Sequence, residues 1–294
     1  MRLVTRADLD GLTCAILLSE VEQIEEVDFA HPKDVQDGKT TLTKNDILAN
    51  LPFDERAGLW FDHHISQADA SWNDFAGAYD VAPSAARVIA NHYKSPKFNR
   101  FEGLLDATDK MDAAELTRDD IVSPKGWILI GYTLDPRTGL SEFRPYFRHV
   151  MELAKSKNPD DILHDPQVKE RVEKLKAEEA AFLATLKECS KADKNVIVTD
   201  FRGKDNLPHG NRFLIYTLFP QQNVSIRIAD GFNKKFVSIQ VGHSILNRTC
   251  KTNIGELLIE HGGGGHFGAG TCQPPSEEAN DVLASIVGVL KENG

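Results

Sequence analysis

The chain has 294 residues, 41% of them hydrophobic and 27% charged, with a formal net charge of −10. That length suffices for about two domains with real cores, and the acidic balance argues against a broad surface for long duplex nucleic acid. No apolar run approaches the roughly 20 residues of a membrane span, the N-terminus has no signal-peptide core, and the four cysteines (Cys14, Cys189, Cys250, Cys272) follow neither a metal-knuckle spacing nor a disulfide framework; a cytoplasmic protein without membrane contact is expected.

In chain order, "RLVTR" predicts a first strand and "GLTCAILLSEVEQI" the helix that follows it. "VDFA" is a second short strand, "KTTLTKND" a third ending at Asp46, and "GLWFD" a fourth. Helices are expected in "APSAARVIANHY", with Pro83 and Ser84 near its start, and in "FNRFEGLLDATDKMDAAEL". Between about Phe143 and Lys194 the strand signal vanishes, and "DPQVKERVEKLKAEEAAFLATLKEC" reads as a long charged amphipathic helix. Strands return in "NVIVTD", "NVSIRIAD" and "KFVSIQVGHS", followed by "NIGELLIEHGGGGHFGAGTC" and a closing helix. The predicted fold class is α/β: a mainly parallel-sheet domain over residues 1–150, a helical linker over 151–192, and a smaller α/β domain with a mixed sheet over 193–294.

In open α/β sheets, ligands collect outside the carboxyl ends of the strands. The predicted strand ends place Asp8 and Asp10, then Asp46, then Asp62, His63 and His64 at that edge, and "DATDKMD" adds Asp106, Asp109 and Asp112. Carboxylates gathered there repel one another, and one or two divalent cations relieve the repulsion. Carboxylate mixed with imidazole suits manganese, with magnesium or iron as alternatives, and the lack of nearby thiolates argues against structural zinc. Two such ions about 3.5–4 Å apart would bind phosphate oxygens and activate water. Taken singly, each residue has an ordinary reading. Asp10 caps the helix beginning at Gly11, Asp46 caps a short helix at "ILANL", Asp106 is a solvated acid, and the two histidines sit in a solvated turn. The conjunction of Asp-Leu-Asp-Gly after a first strand with Asp-His-His after a later one is the specific signal.

These motifs resemble the DHH phosphoesterase superfamily, and "EHGGGGHFGAGT" resembles the Gly-Gly-Gly-His signature of the DHH-associated C-terminal domain. The resemblance spans nearly the whole chain, and "WFDHH" with "GNRF" is similar to exopolyphosphatase-like members. It implies that Asp8 binds a first metal and Asp10 a second, with Asp46 bridging both. His63 and Asp109 would complete the second metal's ligands, with Asp112 as the alternative to Asp109. Asp62 would orient the loop or hold a neighbouring histidine, and His64 would act as an electrostatic or acid partner. Arg6 stands where the family's first motif usually opens with histidine. A guanidinium does not ligate a divalent cation, so either the first metal binds more weakly, Arg6 clamps a phosphate, or catalysis is lost.

In the second domain, Gly263, Gly264 and Gly265 would let backbone N–H groups approach a phosphate, with His266 donating to it. Arg227, Asn247 and Arg248 would add anion contacts, and Phe267 a stacking surface. The ordinary readings are a helix C-cap for the glycines and a locally paired surface position for Arg227. The expected function is that of a manganese-dependent phosphohydrolase acting in a cleft between two domains on a nucleotide or short oligonucleotide end. Inorganic polyphosphate is the alternative substrate, and a non-catalytic nucleotide or phosphate sensor is the alternative of another class. A homodimer is left open.

Overall fold

In a computed structural model, which describes residues 1–64, 67, 75–134 and 140–293, the chain separates into two units, residues 1–116 with 123–173 and residues 117–122 with 174–294. The first unit opens with β1 (Arg2–Thr5), α1 (Leu9–Val21), β2 (Glu26–Phe29), α2 (Pro32–Gln36), β3 (Asp46–Ala49), β4 (Leu59–Asp62) and β5 (Gly77–Tyr79). α3 (Ala85–Tyr93) and α4 (Glu102–Asp112) follow. After α5 (Arg118–Val122), which belongs to the second unit, come α6 (Gly126–Thr133), α7 (Leu140–Ala154) and α8 (Pro159–Leu163).

Among the described residues, the strands of this unit form one parallel sheet in the order β2-β1-β3-β4-β5. Both faces are covered, so the strands are short apolar runs rather than alternating ones. Phe61 points to one side, into a core with Leu12, Ile16, Phe143 and Phe147; Trp60 points to the other, among Val4, Leu48 and Leu51. α1 is buried on nearly all sides from Leu9 to Leu18, as expected of a helix that is apolar all round. It packs between the sheet and α3, α4 and α7. The strand order reverses direction between β1 and β3, and loops leaving their carboxyl ends diverge to opposite sides and open a crevice.

The predicted third strand is displaced. "KTTLTKN" is not strand; β3 starts at Asp46 and ends in Ala49, where "ILANL" had a capped helix as its ordinary reading. A three-residue apolar run cannot by itself distinguish strand from helix. The displacement moves Asp46 from the carboxyl end of a strand to the amino end of one, with consequences for the site below.

α9 (Pro166–Cys189) leads into the second unit, with β6 (Ser190–Asp193), β7 (Val196–Asp200), α10 (Leu214–Leu218), β8 (Val224–Asp230), β9 (Val237–His243), α11 (Ile254–Ile259), β10 (Gly264–His266), β11 (Ala269–Cys272) and α12 (Ala279–Asn293). Its described strands form a mixed sheet in the order β10-β11-β9-β8-β7-β6, with only β7 and β8 parallel. Here the strands alternate, because one face alone is fully covered: Val224, Ile226 and Ile228 are buried with Ile239, Leu258, Ile286 and Leu290, while Arg227 lies on the other face. None of the described helices is long and apolar enough to cross a membrane.

Candidate active site

The site is built where β1, β3 and β4 end. After β1, Asp8 caps α1 by accepting a hydrogen bond from the Gly11 N–H at 2.9 Å. The glycine of this motif has a steric cause: a Cβ on Gly11 would stand 2.0 Å from the Arg6 carbonyl oxygen. Asp10, two residues on, is only 2% exposed. Its Oδ2 accepts from the Ala85 N–H at 3.0 Å and its Oδ1 from the Ala86 N–H at 2.9 Å, so a carboxylate inside α1 is held on the N-terminal N–H groups of α3. Asp10 therefore does not cap its own helix; Asp8 does.

At the end of β4, Asp62 is fully buried. Its Oδ1 accepts a hydrogen bond from His64 Nδ1 at 2.7 Å, which places the His64 lone pair on Nε2. His63 Nδ1 donates to the Ala82 carbonyl at 2.9 Å, and that fixes the ring so that Nε2 faces Asp10 Oδ2 at 4.0 Å and Asp112 Oδ2 at 2.9 Å. This Nε2 is buried and makes no aligned hydrogen bond. Ligand atoms of Asp10, His63 and Asp112 all lie within 4.8 Å of one another.

The electrostatics follow from that crowding. Burial, then the charge of Asp112, pushes the Asp10 carboxyl up to about 8. Burial alone would lower the His63 imidazole, but the close approach of Asp112 and the charge of Asp10 outweigh it and lift it to about 9. Two carboxylates that converge with an imidazole nitrogen in a buried place call for a positive charge between them, which a proton on His63 Nε2 or, in its place, a metal ion can supply. The donor set, two carboxylate oxygens and one imidazole nitrogen, fits a divalent ion of the manganese, iron or magnesium type and not a thiolate-dependent one. The residues present therefore fit a metal.

Three sequence expectations change. Asp46 is not near this cluster: it pairs with Arg2 in register across β1 and β3, roughly 10 Å from the carboxyl end of β3 at about 3.3 Å per residue. Its oxygens accept from Arg2 Nε and Nη2, both at 2.9 Å, and from the Thr43 N–H at 2.7 Å. Asp109 is likewise engaged elsewhere, accepting from Ser84 Oγ at 2.6 Å and Arg87 Nε at 2.7 Å, so it ties α4 to α3 while Asp112 faces His63. Asp106 shares the same Arg87, at 3.0 Å. Asp8 stands beside the cluster without joining it, with Arg6 Nε at 3.3 Å from its Oδ2. The place that Asp46 was expected to fill is held by Asn50, just after β3. It is fully buried, with φ of 57°, and its Nδ2 donates to Asp8 Oδ1 at 3.1 Å. Asn50 was missed because the strand was read four residues too early; an asparagine closing an apolar run, one of the few residues that tolerate positive φ, was the available signal.

In the second unit, the glycine run has a packing cause. Gly262, with φ of +69°, terminates α11, and the Gly263 N–H bonds back to the Leu258 carbonyl at 2.8 Å. A Cβ on Gly263 or Gly265 would lie 2.4 or 2.3 Å from the carbonyl oxygens of Thr271 and Ala269. Gly264 has open space, and His266 is exposed at the edge of the sheet. The Arg227 guanidinium lies 4.9 Å from the Phe201 ring centroid. Asn247 is used within a turn, its Nδ2 donating to Gln221 O and its Oδ1 accepting from Thr249 Oγ1, both at 2.9 Å; Arg248 Nε donates to Ile245 O at 3.1 Å. Phe267 is 57% exposed and meets the His243 ring edge-on at 5.5 Å.

Fold and site together define an open α/β protein with a carboxylate–imidazole cluster fit to hold a metal at its switch point. No family model matches the sequence, and no curated protein matches it. Among solved structures, the chain is similar to the pGpG-specific phosphodiesterase PggH from Vibrio cholerae, with 39% identity over 100% of this chain and 99% of that one and a TM-score of 0.83. It also shares its fold with the DHH domain of a member of the s1p family of ribosomal proteins (15% identity, 99% and 87% covered, TM-score 0.67). RecJ from Thermus thermophilus, in complex with manganese, is a further fold relative (12% identity, 99% of this chain and 52% of that one, TM-score 0.57). The chain belongs to the DHH superfamily of phosphoesterases.

Proposed function

We propose that the protein is a manganese-dependent phosphodiesterase that cleaves a short linear dinucleotide such as pGpG into mononucleotides. The observation that carries this reading is the convergence of Asp10, His63 Nε2 and Asp112 within 4.8 Å at the sheet's switch point, supported by full-length similarity to a phosphodiesterase specific for pGpG. Asp10, His63 and Asp112 would hold a divalent ion, which when bound supplies positive charge toward a phosphate oxygen and acidifies water.

The chain's own residues organise the rest. The Ala82 carbonyl keeps the His63 proton on Nδ1, so that Nε2 is the ligating atom. The N-terminal N–H groups of α3 hold Asp10 in place and favour its anionic form. Asp62 orients His64 through its Nδ1, so that Nε2 is the atom left to exchange a proton with the departing ribose oxygen. In the second unit, His266 is the proposed substrate contact, with Phe267 available to stack on a base; Arg227, Asn247 and Arg248, committed to local contacts, are weaker candidates.

A substrate panel tests the reading. With manganese present, purified protein should release GMP from pGpG far faster than it releases orthophosphate from inorganic polyphosphate. Faster cleavage of polyphosphate would replace the dinucleotide with the polyphosphate chain as substrate.

A further inference from the structure

The surroundings of Asp8 differ in kind from those of Asp10. Three donors already surround the Asp8 carboxylate: the Gly11 N–H at 2.9 Å and Asn50 Nδ2 at 3.1 Å on Oδ1, and Arg6 Nε at 3.3 Å from Oδ2. The side chain that ends β3 is a neutral amide, and the nearest acid on that strand, Asp46, is turned to Arg2 at the other edge. A second divalent ion on Asp8 would find a single carboxylate, no second anionic ligand from β3, and a permanent guanidinium charge alongside. The residues at this position do not fit a metal.

They do fit a phosphate. Arg6 uses Nε toward Asp8, and its side chain is 38% exposed. It lines a cavity of about 1150 Å³ together with Asp8, Phe29 and His31, so the guanidinium fork faces space large enough for a nucleotide. The Oδ1 of Asn50 is buried and has no hydrogen-bond partner, and such an acceptor calls for a donor from a ligand or a bound water. A planar guanidinium held at its Nε edge still presents its Nη groups to two oxygens of a phosphate.

We propose that this active site takes one divalent ion, on Asp10, His63 and Asp112, and that Arg6, pinned by Asp8 and backed by Asn50, supplies the second positive charge as a fixed phosphate-binding residue. This rests on the phosphodiesterase reading and adds to it how the substrate's charge is met.

Metal content decides the first half. After equilibration with manganese and removal of free ion, elemental analysis should find one manganese per chain in the wild type and two in the Arg6→His/Asn50→Asp double variant. Two per chain in the wild type overturns the inference even if the double variant fails to fold. For the second half, calorimetry of GMP binding to the manganese-loaded protein should show affinity at least about tenfold weaker in Arg6→Gln, partly restored in Arg6→Lys, with the metal count unchanged at one. Unchanged GMP affinity in Arg6→Gln would make Arg6 a mere brace for Asp8 and overturn its phosphate role. One ion per chain without turnover of any phosphodiester would instead overturn the functional reading on which this rests.

Discussion

Asp109 and Asp112 stand three residues apart on α4, and the account requires their substitutions to fail in opposite ways. Asp112→Asn keeps the shape of the side chain but removes the anionic oxygen that lies 2.9 Å from His63 Nε2. Loss of an outer-shell partner of a metal ligand typically costs 10–100-fold in affinity. Loss of a direct anionic ligand should reach at least the upper end, about 100-fold or roughly 2.7 kcal/mol at about 1.4 kcal/mol per decade. Without metal, Asp112→Asn also loses the contact to His63 Nε2, partly offset by relief of the charge that pushes Asp10 up, so metal affinity rather than Tm separates the two variants. Asp109→Asn leaves the ligands alone and breaks a charge-assisted contact to Arg87, whose partners are 28% and 16% exposed. Hydrogen bonds to charged groups contribute about 1.5–3 kcal/mol, so Tm should fall by roughly 3–12 °C, at about 2–4 °C per kcal/mol for a domain of this size, while manganese affinity stays within about threefold, roughly 0.7 kcal/mol. Calorimetric manganese titration and thermal unfolding of both variants are the assays. A metal-binding defect in Asp109→Asn with normal binding in Asp112→Asn would refute the assignment.

Asp46→Ala should destabilise the protein by about 1.5–3 kcal/mol through loss of its charge-assisted contact to Arg2, yet keep turnover at saturating metal; a selective loss of metal would return Asp46 to the ligand set. Gly11→Ala should cost about 1–3 kcal/mol by overpacking against the Arg6 carbonyl, read as a lower midpoint in urea unfolding, and an unchanged midpoint would show that the close approach is not rigid. The His243 imidazole is held below its ordinary 6.5 by burial, partly offset by the bond to the Thr252 carbonyl. The stability that its neutral form contributes is present above pH 6.5 and lost as pH falls through the lower folded value. The Tm difference between wild type and His243→Gln should therefore shrink on acidification below pH 6.5, and a pH-independent difference would contradict the shift.

Much of this was legible in the sequence because it depends on local pattern. The strand RLVT and the strand LWFD were readable from apolar runs that stop at acids, and α1 from helical spacing. Asp10, His63, Asp62 and His64 come to one edge because they stand at or beyond the carboxyl ends of β1 and β4, which flank β3. The third strand was not readable in the same way. DILA is four residues long and sits after a β-branched stretch that competes for the same assignment, so Asp46 was placed at the wrong edge and Asn50 was overlooked. The choice between Asp109 and Asp112 was beyond sequence for another reason: positions three apart share a helix face, and only the location of Arg87 on α3 decides which acid is neutralised. The short strands β5, β10 and β11 were also unread, since glycine-rich segments such as GGH and AGTC carry little strand signal without their partners. The glycine run in turn looked like a phosphate cradle because its packing against β11 is invisible along the chain.

The central claim is that Asp10, His63 and Asp112 hold a metal on which phosphodiester cleavage depends. The most direct measurement follows GMP release from pGpG by chromatography in protein stripped with chelator, then in the same protein after manganese is returned. The account predicts no release in the stripped protein, recovery on manganese addition, and no recovery in His63→Ala, even though that variant unfolds with a cooperative transition like the wild type. Undiminished GMP release in excess chelator, or full recovery in His63→Ala, would contradict it.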